Sequence, residues 1–153
     1  MVTYRQAITE DSPAVVSLLA EIMQHHGAPA PAGGSLESVV RSALDSPFHE
    51  FVVAESDGAV VGMCALIFTY STWSAALVCE LQDVIVREGS RRTRVGRGLI
   101  LAAEQVARER GCARLSLLAE AWNFGAHAFY RDLGLSEKTC LYFERDLSDG
   151  PEG

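Results

Sequence analysis

The chain has 153 residues, 48% of them hydrophobic and 22% charged, with a formal charge of −7 at pH 7. Such a length suits one domain that buries about 70% of its unfolded surface without disulfide or metal support, and the ordinary charged fraction excludes a disordered chain. An acidic average repels polyanions, which speaks against nonspecific binding of nucleic acid or of an anionic membrane.

Residues 3–7 predict a short first strand. Ser12-Pro13 marks a helix start, with Ser as N-cap and Pro at the first helical position. Val15, Val16, Leu18, Leu19, Ile22 and Met23 then recur at helical spacing. The Gly-, Ala- and Pro-rich residues 27–34 interrupt two helices. Ser35 opens the second, which carries Leu36, Val39, Val40, Ala43 and Leu44 and ends before Pro47. β-rich runs at 51–55 and 60–70 are joined through Ser56-Asp57-Gly58, a hairpin signal.

Residues 76–86 predict another long strand. An arginine-rich turn separates it from a helix over 95–110, with Leu99, Ala102, Ala103, Val106 and Ala107 on one face and Gly111 as its stop. A fifth strand at 114–118 follows. Asn123 caps a helix carrying Ala126, Phe129, Tyr130 and Leu133, ended by Gly134, and residues 139–145 predict a final strand. The order β-α-α-β-β-β-α-β-α-β implies an α/β (α+β) sheet with helices on both faces. One domain over 1–147 is expected, with a frayed tail at 148–153.

Cys64, Cys79, Cys112 and Cys140 form no C-x-x-C pair and have no histidine at ligand spacing, so they read as reduced, structural thiols. The adjacent His25 and His26 point to different faces of a helix, and no metal site is expected. No segment has signal-peptide form or the 18 apolar residues of a membrane span, so a soluble, cytoplasmic protein is expected.

The acidic average hides an asymmetry. Of the 13 basic residues only Lys138 is a lysine, and five arginines fall within residues 87–97, opposed there by Glu88 alone. That stretch is +4 and the remainder is −11. It follows a strand and runs into a helix N-terminus, where unpaired backbone N–H groups and the helix dipole favour an anion. Arginines add bidentate phosphate contacts. Gly96 and Gly98 allow a ligand or a neighbouring backbone to approach closely. No Gly-Lys-Ser/Thr follows, so this is not a Walker loop, nor is it a G-x-G-x-x-G fingerprint. Nucleic-acid binding through the cluster is disfavoured by the lack of interleaved aromatics.

Arg91-Arg92-Thr93-Arg94-Val95-Gly96 resembles the acetyl-CoA pyrophosphate loop of the GCN5-related N-acetyltransferases (GNAT superfamily), Arg/Gln-x-x-Gly-x-Gly/Ala. It departs at Arg94, which stands where the first glycine is usual and holds a positive φ less easily. Gly111-Cys-Ala-Arg-Leu-Ser-Leu-Leu is similar to the family's fifth strand. Trp122-Asn123, Ala126, Phe129-Tyr130 and Leu133-Gly134-Leu135 resemble its last helix. Within the superfamily, Phe68-Thr69-Tyr70 with Trp73, Leu81-Gln82-Asp83-Val84 and Ala119-Glu120 are most similar to diamine and polyamine acetyltransferases.

The resemblance implies a mixed, mostly antiparallel sheet whose fourth strand is bulged and splays from the fifth. It implies acetyl-CoA as cosubstrate, no metal, a small-molecule amine as acceptor and a homodimer. Backbone groups of Val84, Ile85 and Val86 would take the pantetheine arm. Arg91, Arg92, Thr93, Arg94, Val95, Gly96 and Arg97 would hold the pyrophosphate, and Asn123 would contact the cofactor. Tyr130 matches the tyrosine near the sulfur and is the expected general acid.

The base is open. Polyamine enzymes carry Leu-Glu-Asp where this chain has Leu81-Gln82-Asp83, and Gln82 cannot accept a proton at pH 7 but can position a water. An unbroken strand puts Glu80 on the same face as Gln82. Asp83, if a bulge turns it inward, and Glu120 are further candidates. Glu21 and His25, with His26, are expected over the acceptor side, and Glu80 and Glu120 beside a cationic amine. Acceptors other than a polyamine, such as an antibiotic or protein amine, stay open, as does a noncatalytic acyl-CoA-binding module.

Overall fold

Asp57 and Gly58 both take positive φ, 51° and 77°, the geometry of a two-residue turn whose twist matches that of the strands it joins. In the computed structural model this turn links two of five strands: β1 (Val2–Gln6), β2 (His49–Ser56), β3 (Ala59–Ser71), β4 (Ala76–Val86) and β5 (Leu115–Leu117). The described residues are 1–28 and 35–147. Of the loop expected at 27–34 only Gly27 and Ala28 fall among them, and the expected tail at 148–153 lies outside. The chain divides into two compact units, one ending at Leu118 and the other beginning at Ala119.

In the first unit the strands lie in the order β1-β2-β3-β4-β5. β1 to β4 are antiparallel neighbours, and β5 joins β4 in parallel. Helices α1 (Ser12–His25) and α2 (Ser35–Asp45) bury Val15, Leu18, Leu19, Val40 and Ala43 with Phe51, Val53, Met63, Ala65 and Ile85 on one sheet face. Helix α3 (Val95–Glu109) turns the stripe Val95, Leu99, Ile100, Ala103 and Ala107 inward, and the thiol of Cys64 lies 3.9 Å from the Leu99 carbonyl on the opposite face. Gly98 is shaped by this packing. A Cβ there would overlap the Tyr4 ring, so the missing side chain makes room for an aromatic ring of β1. Cys64 and Cys79 are buried free thiols, each pushed up to about 12 chiefly by loss of solvent.

The start of α1 differs from expectation by one position. A 3₁₀ turn over Thr9–Asp11 runs straight into the helix, so Asp11 stands at the N-cap and Ser12 and Pro13 are already helical. The Asp11 carboxylate is engaged elsewhere: it accepts from the Ile8 N–H at 2.8 Å and from Arg5 at 2.7 and 2.9 Å. Arg5 also donates to Glu55 on β2. The Arg5 bonds hold the Asp11 carboxyl below the usual carboxylate range, against the opposing pull of burial. An unfolded Asp titrates near about 3.9. The resulting stabilisation is complete above that value and is lost as pH falls through the lower folded pKa. Asp11→Ala is expected to cost about 1–3 kcal/mol in urea unfolding at pH 7, and the gap from wild type should shrink toward pH 2.

In the second unit, α4 (Phe124–Asp132) begins as expected: the Asn123 Oδ1 accepts from the Ala126 N–H at 3.1 Å. It ends with Gly134 at φ 87°, the Gly134 N–H donating to the Arg131 carbonyl and the Leu135 N–H to that of Tyr130. Gly111 closes α3 in the same way. The expected final strand is corrected: residues 139–145 form none. A strand's hydrogen bonds come from another strand, and the only regular element described after Ala119 is α4. The strand-like composition of these residues is a local signal that pairing did not follow. No helix among the described residues is long and apolar enough to cross a membrane.

Candidate active site

β3 and β4 run in register from Ser71↔Ala76 to Ala65↔Gln82 and resume at Met63↔Ile85. Two steps on β3 therefore face three on β4, a bulge that leaves Asp83 and Val84 outside the ladder. Asp83 takes φ 51° to make it. Below the bulge Glu80 stands opposite Ile67 and Gln82 opposite Ala65, and the Gln82 amide donates to Glu80 Oε1 at 3.0 Å. Glu80 and Gln82 thus share a face, as the strand period requires. Above it the Ile85 side chain is buried in the core, so any ligand contact of Ile85 is left to its backbone.

β5 pairs with β4 only from Cys79↔Leu115 to Leu81↔Leu117. β4 continues to Val86 without it, so the sheet opens at the bulge. This is the splay expected between the fourth and fifth strands.

A titratable residue that sequence reading missed lies two strands from the bulge. His49 opens β2, and its ring stacks on Phe51 at 5.6 Å. Residues two apart share a strand face, and Phe51 packs on α1 and α2. His49 stands opposite Ile67, itself opposite Glu80. The imidazole is half-buried, which lowers its pKa, while the Asp83 carboxylate works in the other direction. Asp83 is exposed as a residue, yet the atoms around its carboxyl raise its pKa and His49 opposes them. Nothing in the sequence around His49 marks it, because its neighbours come from two other strands.

The arginine turn leaves β4 through a 3₁₀ turn at Glu88–Ser90 and enters α3. Arg94 occupies the N-cap position with φ 67° and ψ 5°, and Arg92 also has positive φ, 63°. An L-residue held there costs about 1–2 kcal/mol relative to its ordinary wells. The five arginines divide into two groups. Arg87 reaches Glu21 on α1 at 3.3 Å and the Val60 carbonyl at 3.1 Å. Arg91 lies 3.9 Å from Glu21 and donates to the Val86 carbonyl at 3.0 Å. Arg92, Arg94 and Arg97 are exposed and make no side-chain ion pair or hydrogen bond among the described residues. Thr93 donates to the Ser90 carbonyl and braces the turn; Val95 is buried beneath it. The free cations therefore gather where the first amides of α3 are unpaired, a fit for a polyphosphate.

Glu21, read from sequence as an acceptor-side residue, spends its carboxylate on Arg87 and Arg91. His25 ends α1 exposed, edge-on to His26 at 5.9 Å. In the second unit Glu120 is exposed, and its carbonyl receives the Asn123 N–H at 2.9 Å and lies 2.8 Å from His127 Nε2. Tyr130 is half-buried in the last turn of α4, edge-on to Phe129 at 5.2 Å.

A sheet edge left open beside a helix start rimmed with cations is a place for a ligand that carries phosphates. Comparison with known proteins makes this specific: residues 18–135 match the profile of the Acetyltransferase (GNAT) family. The chain belongs to that family and is an N-acetyltransferase by class. It is 32% identical to the thialysine N-epsilon-acetyltransferase of Bos taurus over 114 residues, covering 65% of this chain and 66% of that one. It is 28% identical to the aminoalkylphosphonate N-acetyltransferase of Salmonella typhimurium, covering 82% of this chain and 79% of that one. An aminoglycoside acetyltransferase structure from an uncultured soil metagenomic sample superposes with TM-score 0.85 at 19% identity, over 96% of this chain and 97% of that one. That likeness shows the fold.

Proposed function

We propose that the protein transfers the acetyl group of acetyl-CoA to the primary amine of a small, cationic molecule by direct attack. The observation that carries this reading is the grouping of Arg92, Arg94 and Arg97, unpaired among the described residues, at the start of α3, next to the opening between β4 and β5. The arginines and helix amides would hold the pyrophosphate, and the backbone of Val84 to Val86 the pantetheine arm. The amine nitrogen attacks the thioester carbonyl, a C–N bond forms, the C–S bond breaks, Tyr130 supplies the proton that the thiolate takes up, and the proton that the nitrogen sheds on becoming an amide restores the phenol through water. Asn123 would support the cofactor from the cap of α4. Glu80, Gln82 and Asp83 would receive the ammonium group and order water around it, with Glu120 and His25 at its rim. The relatives named for thialysine and for aminoalkylphosphonate support an amine acceptor.

Calorimetric titration with acetyl-CoA, followed by a thiol-release assay over polyamines, thialysine-like amino acids, aminoalkylphosphonates, aminoglycosides and peptides, tests the reading. Saturable binding and turnover with one class are expected. Absence of binding would sink it, and binding without turnover would mark a noncatalytic acyl-CoA module. We also read the protein as a homodimer, which sedimentation would check.

A further inference from the structure

We infer that Glu21 is a positioning residue of the pyrophosphate turn: through Arg87 and Arg91 it ties α1 to the root of that turn and so sets the turn's far end for the cofactor. The inference rests on the acetyl-transfer reading. It moves Glu21 from the acceptor side, where the resemblance places it, to the cofactor side.

Three observations carry it. First, Arg87 is a junction. Its backbone N–H donates to the Val61 carbonyl at 2.9 Å and its Nε to the Val60 carbonyl at 3.1 Å, both on β3. Its two terminal nitrogens reach Glu21 and Ser17 on α1, each at 3.3 Å. Ser17 and Glu21 lie one helical turn apart on the same face, so a single guanidinium fork joins α1 to the end of β4. Second, Arg91 bends back over the same root, donating to the Val86 carbonyl at 3.0 Å with Glu21 3.9 Å away. The Arg87 carbonyl receives the Ser90 N–H at 2.9 Å, so the turn closes onto the residue that Glu21 holds. Third, the turn needs such a hold. Arg92 and Arg94 both take positive φ, and strained residues persist only where their surroundings fix them. The side chains of Glu21 and Arg87 are 33% and 35% exposed, so solvent and salt screen their attraction only in part.

Two roles for this carboxylate predict opposite signs. A negative charge beside a phosphate site repels the ligand, so by charge alone its removal tightens binding. A carboxylate that shapes the turn does the reverse. Without it Arg87 and Arg91 lose their common anchor, the turn samples other arrangements, and the fraction ready for the pyrophosphate falls.

Calorimetry with acetyl-CoA separates them. Glu21→Gln should weaken binding about fivefold. Adding Glu21→Gln to Arg87→Gln should cost less than about twofold more, because the two side chains act as one unit. With an accepted amine, the amine KM and the kcat at saturating acetyl-CoA should stay within about twofold of wild type. Unchanged or tighter binding in Glu21→Gln overturns the role, and additive losses in the double variant overturn the link through Arg87. A raised amine KM with unchanged cofactor affinity returns Glu21 to the acceptor side. A second readout needs no ligand. Hydrogen exchange at the Ser90 and Arg91 amides, which donate within the turn, should quicken about fivefold in Glu21→Gln, while the Gly111 amide beyond the far end of α3 keeps its rate. Wild-type exchange at the turn refutes the brace even if acetyl-CoA affinity changes. A wild-type protein that binds no acetyl-CoA overturns the transfer reading, while exchange still decides whether Glu21 holds the turn.

Discussion

Tyr130→Phe should lower kcat by about 100-fold, equivalent to about 2.7 kcal/mol of transition-state stabilisation. The acetyl-CoA Kd should stay close to wild type. Only the hydroxyl is removed: the ring keeps its edge-on contact with Phe129, and the Tyr130 carbonyl, a backbone group, still receives the Leu135 N–H that closes α4. A departing thiolate needs a proton delivered as the C–S bond lengthens, and a phenol at the end of a rigid helical turn can deliver it. Single-turnover thiol release at saturating acetyl-CoA is the decisive measurement. Full turnover in the phenylalanine variant would mean that the proton arrives from water, and the general-acid role would be withdrawn.

Arg94→Gly should move two quantities in opposite senses. Stability should rise by up to about 1 kcal/mol, because glycine adopts φ 67° without the side-chain clash, offset in part by the greater freedom of glycine in the unfolded chain. Affinity for acetyl-CoA should fall about tenfold as one charge-assisted phosphate contact is lost. Arg94→Ala separates the effects, since it keeps the strained backbone and loses the charge: affinity should fall without any gain in stability. Urea unfolding and calorimetry on the three proteins give both numbers. Unchanged affinity in the glycine variant would show that Arg94 touches no phosphate and that the strain serves some other end.

Much of the fold is legible in short stretches of the chain. The Asp57-Gly58 turn, the Asn123 cap, the glycine stops at Gly111 and Gly134 and the buried stripe of α3 follow from residues within a few positions of one another. The resemblance carried by residues 91–96 adds the bulge and the splay, and both are present. Two local readings fail for the same reason. Ser12 has the residue type of a cap, but Asp11 holds the position while its carboxylate serves Arg5 and Ile8. Residues 139–145 have strand composition, but composition does not supply a partner.

The site divides along the same line. By itself the sequence determined that five arginines gather before a helix start, and hence that an anion belongs there. Only the tertiary structure decided which of them are available: Glu21, 66 positions away from Arg87 in the chain, takes that arginine and approaches Arg91, leaving Arg92, Arg94 and Arg97 free among the described residues. The +4 of the turn is therefore a count of charges present, not of charges offered to a ligand. His49 is the sharper case. A histidine before an apolar run carries no signal of its own, and the influence of the Asp83 charge on it depends on strand register and on one extra residue in β4. Caps, turns and helix faces are decided over a few residues by backbone geometry, whereas the pairing of charges across a sheet is decided by which strands lie side by side.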